Sequence, residues 1–163
     1  MDKLVYIFLD IDGVLDNRTY LEECYERHHK PTMSMNCFPF DPKCLNNLML
    51  LFQKLEEKNF IVRIILSSTW RLNEIDTQIV NHRLAEYGMR VFDKTGNISG
   101  QRGLEIKDYL DNHNKCINYI VLDDDIFDIK NIIEDKHIVN TSFETGFTEE
   151  CLKEAVKKLN LED

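Results

Sequence analysis

Proline and glycine are scarce in this sequence of 163 residues, with three and six copies. That scarcity excludes collagen-like and low-complexity chains, and a hydrophobic content of 43% excludes a disordered one. No apolar run approaches the ~20 residues of a membrane span, so no membrane partner is expected. The apolar stretch near the start is only six residues long, bounded by charge and too short for a secretory core. Cysteine is present without organisation. Cys24, Cys37, Cys44, Cys116 and Cys151 are odd in number and form no C-x-x-C pair. They read as free thiols in a reducing compartment, hence a cytoplasmic protein, rather than as a disulfide frame or zinc site. Positive charge is in deficit too, with 20 Lys and Arg against 29 Asp and Glu, a net −9. Residues 123–163 alone carry twelve acids against five Lys. A broad basic footprint for nucleic acid is therefore absent, while a local site for an anionic ligand stays open.

No internal repeat is visible and no Gly/Ser/Pro linker divides the chain, so 1–163 is expected to be one domain. Strand and helix patterns alternate, which favours an α/β parallel sheet. Leu4–Leu9 (LVYIFL) is a continuous apolar run, as in a strand buried on both faces. Asp41-Pro42 reads as an N-cap followed by a first-turn proline, opening an amphipathic helix over 42–58. Further strands are expected at 60–66, 90–93, 117–122 and 137–140. Further helices are expected at 73–87, 104–112, 126–134 and after Thr148. The non-periodic stretch 17–40 is longer than an ordinary loop and reads as a small functional flap or a partly helical insert.

Three polar clusters end three of these strands. Asp10 and Asp12, two apart in extended chain, can face one site, and Gly13 allows a sharp turn away. Asp123, Asp124, Asp125 and Asp128 come directly after the strand at 117–122. So many acids in so short a span read either as a solvated loop, with Asp125 capping the next helix, or as an oxygen-ligand site for Mg²⁺. Ser67-Ser68-Thr69-Trp70-Arg71 offers hydroxyls and backbone N–H groups ahead of a helix, an ordinary cap or an anion cradle. Arg102 and Lys107, near the start of another helix, could supply a fixed positive charge. Ligands of open parallel sheets bind beyond the carboxyl ends of the strands, where these clusters converge. Together they offer a nucleophile, an acid, a metal site and phosphate donors, which suits phosphoryl transfer.

Asp10-Ile11-Asp12-Gly13-Val14-Leu15 resembles the first motif of the haloacid dehalogenase (HAD) superfamily, with Ser67 matching the second motif and Asp123-Asp124 the fourth. The strings SSTWR (67–71), RGLEI (102–106) and LDDD (122–125), with FPFDP (38–42) and GFT (146–148), are similar to the HAD domain of Swiss-army-knife RNA repair proteins. That domain is related to the phosphatase half of polynucleotide kinase-phosphatases. The resemblance implies a Rossmann-like α/β sheet in the order 3-2-1-4-5, with helices on both faces and no large cap domain. It implies that Asp10 is a nucleophile forming an aspartyl-phosphate and a ligand of Mg²⁺. Asp12 becomes the general acid/base and a metal ligand through its carbonyl, Ser67 a phosphoryl hydrogen-bond donor, and Asp124 the main acidic metal ligand. Asp123, Asp128 and Ser68 take supporting places. Arg102 fills the place of the third-motif cation, with Lys107 in reserve, and Arg71 is a further phosphate contact.

The expected activity is Mg²⁺-dependent hydrolysis of a phosphomonoester, with a phosphorylated nucleic-acid end, RNA above DNA, as substrate. Arg18, Arg27 and Lys30 of the flap would meet phosphates, and Tyr20, Tyr25 and Phe38 would stack a base. Association with other repair enzymes is also expected. The competing readings are a phosphatase of nucleotides, small metabolites or phosphoproteins, a phosphotransferase, and a catalytically silent binding module on the same fold.

Overall fold

The structure, a computed structural model, describes residues 3–28, 39–113 and 115–162. Five parallel strands form one sheet: β1 (Leu4–Leu9), β2 (Ile61–Leu66), β3 (Val91–Lys94), β4 (Asn118–Asp123) and β5 (Ile138–Asn140). Their spatial order is β3-β2-β1-β4-β5, the expected 3-2-1-4-5. β1 is central, with Leu9 beside Leu66 on one side and Leu122 on the other.

Side chains of a strand alternate between faces, so the apolar run of β1 supplies both sides of the sheet. Val5, Ile7 and Leu9 enter one core, and Leu4, Tyr6 and Phe8 enter the other. The first core is closed by α2 (Pro42–Glu57), α3 (Glu74–Ala85) and α5 (Glu149–Lys158), through Leu45, Leu48, Val80, Leu84, Leu152 and Ala155. The second is closed by Ile106 and Tyr109 of α4 (Arg102–Asn112) and by Ile129 and Ile133. Each helix on the first face starts where the sequence indicates. Asp41 caps α2 by accepting from Lys43 N at 2.9 Å, and Pro42 fills the first turn. Asn73 caps α3 through Ile75 N, and Thr148 caps α5 through Cys151 N.

Two expectations change, while the flap is partly helical as expected. Residues 126–134 form consecutive turns rather than a helix. Two helical bonds survive, Lys130 N to Ile126 O and Ile133 N to Ile129 O. The β-branched Ile126, Ile129, Ile132 and Ile133 disfavour helix. Asp125 Oδ1 accepts from Phe127 N as a cap would, while Asp128 Oδ2 accepts from Arg102 N of α4. Within the flap, Arg18–His28 is helix α1, and residues 29–38 lie outside the described residues, Lys30 and Phe38 among them. Cys44, Cys116 and Cys151 are free thiols, but buried Cys24 is disulfide-bonded. This corrects the reading of all five cysteines as free, since spacing alone does not record which thiols a fold brings within bonding distance. Cys37 lies outside the described residues. Among the described residues no helix is long and apolar enough to cross a membrane.

Candidate active site

The carboxyl ends of β1, β2 and β4 border a cavity of about 660 Å³. Asp10 stands just past the last residue of β1, with its N–H held by Leu122 O of β4 at 3.0 Å. Gly13 then turns the chain at φ +78°, a conformation that strains any residue with a side chain. A Cβ there would also lie 2.4 Å from the Asp124 carboxyl. Gly13 thus serves two purposes: it bends the chain off the sheet, and it lets Asp124 approach Asp10.

Asp10, Asp123 and Asp124 bring carboxylate oxygens within 4.8 Å of one another, a group able to hold a cation. Arg102 partly balances them, with Nη1 at 3.2 Å from Asp10 Oδ1 and 2.8 Å from Asp123 Oδ2. Burial pushes Asp10 up to about 8, Asp123 adds to the shift, and Arg102 opposes it. Burial also raises Asp123, against the pull of Arg102. Asp124 is raised by burial, opposed by a hydrogen bond with Asp10. A carboxyl–carboxyl hydrogen bond requires a proton, so the cation-free cluster holds at least one near neutral pH. Burial works to discharge Arg102, but Asp123 and Asp10 together outweigh it and hold the guanidinium above its ordinary value. Three hard carboxylates sharing one arginine suit a small divalent cation with oxygen preference.

The hydroxyl loop after β2 is fixed from behind. Ser68 Oγ caps the 3₁₀ turn Thr69–Leu72 by accepting from Trp70 N at 3.3 Å. Ser67 is buried, and its Oγ has no hydrogen-bond partner. A buried orphan hydroxyl is costly unless a ligand completes it. Arg71 turns away from this role. Its guanidinium donates to Thr95 O, Ser68 O, Gly96 O and Glu105 Oε2, using four of its five N–H groups. The Arg71–Glu105 pair is buried and measures 2.8 Å, tying the hydroxyl loop to α4, from which Arg102 projects. At the start of α4, a Cβ on Gly103 would meet Asp128 O at 2.6 Å. Glycine there lets α4 close onto the turns after β4, and Asp128 Oδ2 accepts from Arg102 N at 2.5 Å.

The structure therefore gathers Asp10, Asp12, Arg71, Arg102, Asp123, Asp124 and Asp128 around one cavity. Ser67 and Ser68 lie buried in the loop beside it. Lys107 is not among the lining residues, because its ammonium pairs with Asp111 on the solvent side of α4 at 2.6 Å. Of the two cations, only Arg102 reaches the carboxylates. Tyr20 and Tyr25 do not line the cavity either.

Several residues of the site carried no role in the sequence reading. Trp70 donates its indole N–H to Asp12 Oδ2 at 3.1 Å, and its ring meets Phe40 edge-on. Asp16, buried four residues after Asp12, is pushed up to about 7 by burial and then by Asp12, to which it is hydrogen-bonded. Glu105 anchors Arg71, and Phe127 and Phe143 line the cavity. Trp70 and Glu105 stand inside the strings SSTWR and RGLEI, which was the available signal. Asp16 and the two phenylalanines had none.

Comparison with protein families gives one match, over residues 6–152, to the model described as the HAD domain in Swiss Army Knife RNA repair proteins. No curated protein matches the chain.

Proposed function

Since the chain belongs to the family of HAD domains found in Swiss Army Knife RNA repair proteins, a group of hydrolase and phosphatase type, we propose that it is a Mg²⁺-dependent phosphomonoesterase acting through an aspartyl-phosphate on Asp10. The observation that carries this reading is the carboxylate cluster of Asp10, Asp123 and Asp124 beside Arg102, with the unsatisfied hydroxyl of Ser67 in the adjoining loop. The cluster fits a divalent cation by its donor set, and Asp10 and Asp124, with the backbone carbonyl of Asp12, would hold it. When bound, the cation supplies positive charge to the phosphoryl oxygens and favours the ionised form of Asp10.

Ionised Asp10 attacks phosphorus, and the bond to the ester oxygen breaks as the new P–O bond forms. Asp12 gives its proton to the departing oxygen. Trp70 and Asp16 both hydrogen-bond the Asp12 carboxyl and position it beside the cavity. Arg102 and the Ser67 hydroxyl meet the charge that develops on the transferring group. Water then attacks the acyl phosphate, Asp12 takes its proton back, and inorganic phosphate leaves.

The substrate in this proposal is a phosphorylated RNA end, and association with other repair enzymes belongs to the same proposal. The family's occurrence in RNA repair proteins supports it. So does a flap too short to form a separate cap over the cavity. The test is a phosphatase screen across oligonucleotide ends, mononucleotides, sugar phosphates and phosphopeptides, with Mg²⁺ and with a chelator. Chelator-sensitive hydrolysis, highest for oligonucleotide ends, is the expected outcome. Preference for a mononucleotide or peptide by more than about tenfold, roughly 1.4 kcal/mol in transition-state binding, would overturn the substrate and leave the chemistry standing. Hydrolysis of none of them would overturn the chemistry.

A further inference from the structure

The rim of the cavity is apolar where its floor is ionic. Phe127, Phe143 and Leu72 line it and stand 76%, 41% and 56% exposed. Phe127 is the most exposed large hydrophobic among the described residues. Neither phenylalanine belongs to either core or packs against it. Exposed apolar groups gathered at one opening mark a ligand surface, whereas single scattered ones do not.

Each ring has a cation beside it. Lys130 Nζ lies 5.7 Å from the centre of Phe127, and Arg18 Cζ lies 5.7 Å from that of Phe143. The main chain of both residues is fixed by hydrogen bonds. Phe127 N donates to Asp125 Oδ1 at 3.2 Å, and Phe143 O accepts from Arg18 N at 2.8 Å. The arrangement offers aromatic rings next to the phosphoryl site with cations beside them, Arg18 being also paired with Glu144 at 2.9 Å and Lys130 exposed.

We propose that Phe127 and Phe143 form a stacking platform for the base of the nucleotide that carries the scissile phosphate, with Lys130 and Arg18 facing the next phosphate along the strand. This rests on the phosphomonoesterase reading and adds the residues that select the substrate. A nucleotide end presents a π-face close to its terminal phosphate and a second negative charge one residue on, which matches the order ionic floor, aromatic rim, outer cation. A phosphotyrosine also carries a ring, but on a peptide it brings no charge that the outer cations require. The carboxylates of Asp125 and Asp128 line the same cavity and disfavour a longer polyanion, so the footprint ends at one or two nucleotides.

The experiment compares an RNA oligonucleotide bearing a terminal phosphate with the same oligonucleotide lacking its terminal base, in kcat/KM and in equilibrium binding to Asp10→Asn. The intact end is expected to be preferred, and Phe127→Ala to reduce that preference about fivefold or more, about fivefold being the lower end of what one lost base–aromatic stack costs. Phe127→Trp should keep it, and Phe127→Leu, apolar but unable to stack, should not. Phe143→Ala should act in the same direction. Equal losses on both oligonucleotides would mean that the ring only supports the fold, and would overturn the proposal. So would a wild-type protein that hydrolyses both equally, with the phosphatase reading intact, or one that prefers a phosphotyrosine peptide. If neither oligonucleotide is hydrolysed, the phosphatase reading falls. Binding then decides the platform: a base-dependent preference of Asp10→Asn that Phe127→Ala abolishes upholds it, and its absence overturns it.

Discussion

Arg102 reaches Asp10 and Asp123 at 3.2 and 2.8 Å, whereas Lys107, one and a half turns further along α4, spends its charge on Asp111 in solvent. A preorganised charge aimed at a transferring phosphoryl group contributes far more than a hydrated surface ion pair. We predict that Arg102→Ala lowers kcat/KM on an aryl phosphate by about 10²-fold or more, while Lys107→Ala stays within about twofold of wild type. The reverse ranking would remove Arg102 from the transition state. Both cations were visible in the sequence as neighbours of a helix start, and spacing alone did not separate them. The side-chain direction does: Arg102 opens α4 at its end nearest the strand termini, and Lys107 points to the opposite side of the helix. Asp10, Asp12, Ser67 and Asp124 were legible because each stands at or just past the end of a strand readable as an apolar run. Phe127 and Phe143 were not, because a single aromatic after a strand has no periodicity, and only the order of β4 and β5 in the sheet brings the two to one cavity.

The hydroxyl loop and α4 are separate elements joined by one buried ion pair, Arg71 with Glu105. Removing one partner of such a pair leaves the other charge buried without compensation, at a cost of about 3–5 kcal/mol. Glu105→Ala is therefore expected to lower stability by about that amount in urea melts. Arg71→Lys should fail to restore the native value, since an ammonium cannot reach the three carbonyls and the carboxylate that the guanidinium spans. A melt for Glu105→Ala unchanged from wild type would show that the pair does not hold the loop. At this scale β1, β2, β4, α2 and α5 were readable from apolar runs, caps and the first-turn proline. The segment 126–134 was misread as a helix, although its β-branched isoleucines disfavour one. Asp128 spends its carboxylate on Arg102 N of α4, a contact that periodicity does not record.

The whole molecule carries a net −9 and concentrates several acids in one cavity, so its stability is linked to both pH and cations. Asp10 is raised to about 8 and Asp16 to about 7, each first by burial, with Asp123 and Asp124 raised in the same direction. A carboxyl whose folded pKa exceeds its unfolded one holds its proton more tightly when folded. Its contribution favours the fold at low pH and is lost as pH rises from the unfolded value of 3.8 toward 8. Without a divalent cation, thermal stability should therefore fall across that window, and less steeply in Asp10→Asn, which has one titrating group fewer. Mg²⁺ held by the cluster would displace its protons, so its increment to Tm should be larger near about pH 8 than near about pH 5. An increment independent of pH would mean that the cation binds elsewhere.

In the proposed reaction Asp10 becomes covalently phosphorylated during turnover. The direct measurement is acid quenching of the protein in the first turnovers of an aryl phosphate with Mg²⁺, with peptide mass mapping of the quenched sample. One added phosphoryl group is expected on the peptide containing Asp10, formed and consumed at rates compatible with turnover, and absent in an Asp10→Asn variant that no longer releases phosphate. Sustained phosphate release by Asp10→Asn, or wild-type turnover with the phosphoryl group on another residue, would contradict it.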